Sequence, residues 1–455
     1  MRGPMRNILR ILISVVSLAG ILHSQVNGML NPAGTPPMGW NSWDSFGRTI
    51  SEAEVRQTAE TVSKELKRYG WEYIVIDEGW YISNPQEQDA SKYHFMMTDD
   101  GRFLPDTSRF PSSGNNSGFK PLSDYIHTLG LKFGIHILRG IPREAASRNL
   151  AIAGSAFHAR DAADDSDMCP WNAYNFGVRD NAAGQAYYDS ILKLYASWGV
   201  DFIKVDCIAN NPYKPDEIRM ISRAIGKTGR PIVLSLSPGP TALEHASEVA
   251  KYAEMWRTCN DFWDHWGRWK GHEWSQGLLA QFQTLMAWAP HIATGHWPDS
   301  DMLPLGRLGP NPGAGDPRNT LLTRDEQRTV MALWSMARSP LMMGGNLLEL
   351  DDWTRSLLTN EEVIAVDQHS KDNRQALTDG MLVVWTARPE NGNGYYLAVF
   401  NTADSELDID HSWKDLGIEE GVYGVRDLWE KKNLSRESRL KVKLAPHASV
   451  MWKLQ

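Results

Sequence analysis

The chain has 455 residues, 42% of them hydrophobic and 22% charged, an ordinary globular composition that excludes a disordered, collagenous or multi-span membrane protein. Its 47 Lys and Arg against 55 Asp and Glu give a net charge of −8, so the chain has no basic excess to neutralise phosphates, and neither nucleic acid nor membrane insertion is expected. Three cysteines leave at least one unpaired, and nineteen tryptophans supply either core or the flat apolar faces on which sugar rings stack.

Arg2, Arg6 and Arg10 precede an apolar run of roughly a dozen residues that is too short to span a bilayer of about 30 Å. Small and polar residues follow, so residues 1–28 read as a signal peptide and the protein as exported, periplasmic or secreted. Disulfides are then permitted. From residue 29 to 368, short apolar runs alternate with amphipathic stretches. Strands are predicted at 38–41, 73–77, 132–137, 202–206, 232–236, 252–256, 292–295 and 340–343, with helices such as 52–69, 182–198, 215–225 and 323–337 between them. Eight such units predict a closed TIM-type (β/α)8 barrel. An open doubly wound sheet is disfavoured because no G-x-G-x-x-G follows the first strand, and the Gly-rich residues 309–317 lack the Lys and helix of a phosphate-binding loop, so they read as a surface loop. From 371 to 455 the pattern changes to short Val-, Tyr- and Trp-rich runs at 381–387, 394–400, 406–411, 421–429, 440–444 and 448–454. These predict a small antiparallel β domain that buttresses the barrel.

Reactive groups of such a barrel come from the carboxyl ends of its strands, and here those ends carry carboxylates beside Trp, Lys and Arg. The second strand leads into Asp77-Glu78-Gly79-Trp80, the fourth ends in Lys204-Val205-Asp206, the sixth leads into Trp256-Arg257 and Asp261, and the seventh precedes Trp297-Pro298-Asp299-Ser300-Asp301-Met302. Any one of these aspartates alone reads as a helix N-cap; four strand ends of this kind favour a sugar site. Side chains alternate along a strand, so Lys204 and Asp206 face the same interior, and a Lys204–Asp206 ion pair is expected to keep Asp206 ionised. Asp261 suits the complementary task of proton donor in a retaining glycoside hydrolysis. No H-E-x-x-H, tight Cys/His spacing or G-x-S-x-G occurs, so neither a metal or other cofactor nor a serine nucleophile is expected.

Thr35-Pro-Pro-Met-Gly-Trp-Asn-Ser-Trp43, together with residues 73–80, 201–206, 256–261 and 297–303, resembles glycoside hydrolase family 27, the α-galactosidase and α-N-acetylgalactosaminidase family. The resemblance implies a β-sandwich after the barrel and a double displacement with Asp206 as nucleophile and Asp261 as acid/base. It also implies substrate contacts from Trp43, Asp77, Glu78, His136, Lys204, Ser237, Arg257, Trp297 and Met302, leaves Asp301 open, and pairs Cys169 with Cys207 while Cys259 stays free. The implied partner is an oligo- or polysaccharide with a terminal galactose-like sugar, and the implied activity is release of α-D-galactose.

Three departures bear on substrate. Galactose-specific members carry Asp-Asp where this chain has Asp77-Glu78, and the longer side chain reaches about 1.5 Å further, toward the place of a galactose C6 hydroxymethyl. Members with Glu here include β-L-arabinopyranosidases, whose sugar has the ring stereochemistry of galactose without C6, and this is the alternative activity. Small Ser237 admits an N-acetyl group, which leaves α-N-acetylgalactosaminide as a third substrate, and an inert carbohydrate-binding barrel is the alternative class. His136 with Arg139 and Arg143 adds a basic loop, residues 138–144, at the site rim, expected first as a solvated loop and alternatively as a contact for acidic or branched polysaccharide.

Overall fold

The structure, a computed structural model, describes residues 32–455, so the segment read as a signal peptide lies outside the described residues. Eight parallel strands carry the first part of the chain: β1 (Met38–Asn41), β2 (Tyr73–Ile76), β3 (Lys132–Leu138), β4 (Phe202–Asp206), β5 (Val233–Leu236), β6 (Met255–Arg257), β7 (Trp297–Asp299) and β8 (Leu341–Met343). They lie in the order β7-β6-β5-β4-β3-β2-β1-β8. The ring closes just beyond β7, where Leu303 N–H donates to Met342 O (2.8 Å) and Gly344 N–H donates to Leu303 O (3.0 Å). The helices between them include α1 (Glu52–Thr61), α2 (Lys120–Thr128), α3 (Ala182–Ser197), α4 (Pro215–Thr228), α5 (Ala246–Tyr252), α6 (Leu278–Trp288) and α7 (Arg324–Met336). Local chemistry fixes their starts: Ser51 with Glu54 and Thr323 with Glu326 form capping boxes for α1 and α7, and Asn181 caps α3.

Strand alternation sorts the two faces of this sheet. Tyr73, Val75, Phe202, Val233, Met255, Trp297 and Met342 fill the barrel interior. Ile74, Ile76, Ile135, Ile203, Val205, Leu234 and Trp256 point outward into the larger core beneath the helices. The seventh strand falls later than the sequence pattern places it. Residues 293–296 form a tight turn in which Ala293 and His296 exchange backbone hydrogen bonds, and Gly295 sits at φ +81°, a conformation no strand uses. Strand β7 begins only at Trp297.

The C-terminal part is a sandwich. A six-stranded antiparallel sheet runs in the order β9-β10-β11-β16-β13-β14, and β12 pairs with β15. The ranges are β9 (Ser370–Asp379), β10 (Leu382–Pro389), β11 (Tyr395–Asn401), β12 (Leu407–Ser412), β13 (Tyr423–Asp427), β14 (Lys432–Glu437), β15 (Arg439–Leu444) and β16 (Ser449–Leu454). One face of the large sheet, with Val383, Trp385, Ala398, Phe400 and Met451, joins the core of the barrel helices. The other, with Val384, Leu397, Val399 and Trp452, packs on Ile409, Trp413 and Leu440. Strands β9 and β14 are additions to the six read from sequence. Both lie at the edges of the large sheet, where a strand needs no continuous apolar face, and their sequences SKDNRQALTD and KNLSRE carry little apolar signal. Among the described residues no helix is long and apolar enough to cross a membrane.

Candidate active site

The carboxyl ends of the strands surround a cavity of about 400 Å³. Its walls include Trp43, Asp77, Glu78, His136, Lys204, Asp206, Ser237, Arg257, Asp261 and Met302, ten of the eleven positions singled out in the sequence, together with Asp301. Trp297, expected in the wall, is the exception and lies outside it. It is fully buried, donates from Nε1 to Ala33 O (2.9 Å) and lies under the Arg338 guanidinium at 4.8 Å. The register explains this: Trp297 pairs with Met255, one layer below the Asp299–Arg257 pair, so its ring fills the barrel rather than lining the cavity.

Charge is organised in two groups. In the first, Lys204 Nζ donates to Asp77 Oδ2 (2.9 Å), which also accepts from Asn41 Nδ2 (2.7 Å). Burial alone would raise the Asp77 carboxyl, but Lys204 and His136 outweigh it and hold it well below the usual range, while the same pairing raises Lys204. The expected direct Lys204–Asp206 ion pair is therefore replaced by Lys204–Asp77. The nearer cation to Asp206 is His136, with Nε2 at 3.8 Å from Oδ2, and Trp171 Nε1 donates to the same oxygen at 3.3 Å. Burial pushes Asp206 up, yet His136 and then Lys204 bring it below its ordinary value. His136 itself is raised, since Asp77 and Asp206 overcome the effect of its burial.

The second group centres on Arg257. Its Nη2 reaches Asp301 Oδ2 at 2.7 Å and Asp261 Oδ1 at 3.1 Å. Asp301 Oδ2 also accepts from the backbone N–H of Phe262 (2.8 Å), which pins the residue after Asp261. Asp301 is pushed up to about 6, by burial first and by the neighbouring Asp261 and Asp299 carboxylates, with Arg257 opposing.

Glu78 is buried in the wall, and its Oε1 accepts from Asn172 Nδ2 (2.6 Å) and Tyr174 OH (3.1 Å). Burial raises its carboxyl above the ordinary value, with the Asp206 charge adding to the effect and His136 opposing it. Sequence reading missed Trp171, Asn172 and Tyr174, which lie in the long connection between β3 and β4. A signal was present: the Cys169–Cys207 disulfide forms, Cys259 is free, and Cys207 directly follows Asp206, so residues just after Cys169 must lie near the strand end. The loop at 309–317 also does more than cover surface. Gly313 N–H donates to Trp43 O (3.0 Å), and a Cβ at Gly313 would fall 2.2 Å from Trp43 Nε1, so only glycine lets this loop pack against the ring.

The loop at 138–144 is neither wholly solvated nor a rim of three basic groups. Arg139 is buried, donating to Asp167 and Glu217 at 2.8–2.9 Å and to Cys207 O at 2.6 Å, so its charge is paired inside the protein. His136 is buried beside Asp206; of the three, Arg143 alone is exposed, and it donates to Ala173 O.

The family model described as alpha galactosidase A matches residues 35–146 and 178–369, and that of the alpha galactosidase C-terminal beta sandwich domain matches 379–454. An α-galactosidase of Cyamopsis tetragonoloba is 30% identical over 427 residues, 92% of this chain and 86% of that protein. An α-galactosidase A of Cellvibrio japonicus is 28% identical over 93% of this chain and 92% of its own length. A solved family 27 β-L-arabinopyranosidase of Geobacillus stearothermophilus is 46% identical, with a TM-score of 0.87 over 94% of this chain and 97% of that one; a variant of it has been solved in complex with arabinose. Fold and relatives together define a glycoside hydrolase built on a (β/α)8 barrel. The chain belongs to glycoside hydrolase family 27.

Proposed function

We propose that the protein is an exo-acting retaining glycosidase that releases terminal β-L-arabinopyranose in preference to α-D-galactose. The observation that carries this reading is Glu78: a buried carboxylate, tied by Asn172 and Tyr174 and one methylene longer than Asp, stands beside Asp77 where the galactose C6 group is expected. The 46% identity to a β-L-arabinopyranosidase, against 30% to an α-galactosidase, supports the same order of substrates. The α-galactosidase activity implied by the sequence resemblance is retained as the second reading.

In this mechanism Asp77 and Lys204 hold distal hydroxyls of the sugar, Trp43 packs on its ring, and Met302 and Ser237 bound the pocket. Asp206, kept ionised by His136, attacks the anomeric carbon. Asp261, oriented by Arg257, protonates the departing glycosidic oxygen and then takes a proton from the water that releases the sugar from Asp206. The enzyme acts on an oligo- or polysaccharide bearing such a terminal sugar, outside the cytoplasm once residues 1–28 are removed. Residues 29–368 are the catalytic domain and 371–455 its buttress.

Nitrophenyl β-L-arabinopyranoside, α-D-galactopyranoside and α-N-acetylgalactosaminide compared side by side test the reading. The first should have the highest kcat/KM, and Glu78→Asp should move the ratio toward galactoside by about tenfold or more, the worth of one methylene in a fitted pocket. A wild type that prefers galactoside would overturn it in favour of the second reading.

A further inference from the structure

Of the nineteen tryptophans, only Trp171 (43%) and Trp274 (48%) are exposed, and both line the cavity that holds Asp206 and Asp261. An indole left in water forgoes the burial that ten other tryptophans of this chain achieve completely. Its repetition at a single entrance points to a ligand face.

Trp171 is held by a hydrogen bond, and Trp274 has a packed aromatic neighbour. Trp171 stands two residues after the disulfide-bonded Cys169 and is fixed by its hydrogen bond to Asp206, while the adjacent Asn172 is fixed by Glu78. Trp274 lies on the connection between β6 and α6. There the Arg318 guanidinium, paired with Asp264, sits over the rings of Trp263 (5.6 Å) and Trp269 (5.1 Å). His272 stacks on Trp269 at 3.9 Å and meets Trp274 edge-on at 5.8 Å, and Ser275 Oγ lies 3.1 Å from His265 Nε2. Rings ordered before binding lose little freedom when a ligand arrives. The uncharged amides of Asn211 and Asn260 also line the cavity.

We propose that Trp171 and Trp274 form a leaving-group subsite for a neutral pyranose ring, with apolar C–H faces on the indoles and hydroxyls toward the two amides. The substrate is then a saccharide whose terminal sugar is linked to another sugar ring, rather than a simple alkyl glycoside. This rests on the proposed glycosidase activity and extends it to the other side of the scissile bond.

The test compares two substrates of the same terminal sugar: its glycosyl fluoride, whose leaving group has no ring, and a disaccharide in which it is linked to a second pyranose. Trp274→Ala should raise the KM for the disaccharide about tenfold more than the KM for the fluoride, on the scale of truncating one aromatic anchor. Trp274→Phe, which keeps a flat face, should restore most of the difference. Equal effects on the two substrates, or no effect on either, in an active enzyme would overturn the subsite alone. A wild type inert toward the fluorides of both arabinopyranose and galactose would overturn the glycosidase reading and the subsite with it.

Discussion

His136 Nε2 lies 3.8 Å from Oδ2 of Asp206 and is buried, so its charge acts on the carboxylate with little solvent between them. The relationship is reciprocal: His136 lowers Asp206, and Asp77 with Asp206 raises His136 against the effect of its burial. Removing the imidazole leaves mainly Lys204 and the Cys207 N–H to oppose burial, so the proposed nucleophile takes up its proton at higher pH. In His136→Gln the acid limb of the kcat/KM profile should therefore move to higher pH. At neutral pH kcat/KM should fall about tenfold, the worth of about 1.4 kcal/mol of charge–charge interaction lost from the site. An acid limb that stays in place or moves down would count against this coupling.

The two carboxylates should respond oppositely to an added nucleophile. Asp261→Ala should lose about 10²–10⁴ in kcat on a disaccharide, which needs protonation of its leaving group, and far less on a dinitrophenyl glycoside. Azide should restore turnover of the activated substrate and yield a glycosyl azide of the substrate's own anomeric configuration. Asp206→Ala should yield the opposite anomer. Identical anomers from the two variants, read by proton NMR, would remove the division of roles.

Trp297 offers a contrast with the cavity residues. Its ring is fully enclosed between Ala33, Arg338 and the barrel layer of Met255 and Met342. Trp297→Ala should cost about 3–5 kcal/mol of stability, read as a lowered denaturant midpoint, while KM of the folded enzyme stays near that of wild type. A raised KM with unchanged stability would return this residue to the cavity wall.

Much of this molecule can be read from spacing because the barrel imposes it. Period-two alternation correctly places Lys204 and Asp206 on one interior face, and the rule that strand ends carry the chemistry brings Asp77, Glu78, Arg257 and Asp261 to one cavity. What escapes has identifiable physical causes. Trp297 shares the inward face with Asp299 but lies one layer deeper, and depth along a strand depends on register between chain segments far apart in sequence. Lys204 finds Asp77 on β2's end rather than Asp206 because its nearest partner is set by strands that are not neighbours in the chain. Trp171, Asn172 and Tyr174 come from a connection with no periodicity, brought in by a disulfide. The edge strands β9 and β14 lack an apolar code because an edge does not require one.

In the proposed double displacement Asp206 forms a covalent bond to the sugar. A glycosyl fluoride of arabinopyranose or galactose, with a second fluorine on the ring to slow release, should inactivate the enzyme, and peptide mass spectrometry should find the sugar esterified to Asp206. A label on Asp261, Asp301 or any other carboxylate, or rapid turnover with inversion and no label, would contradict the account.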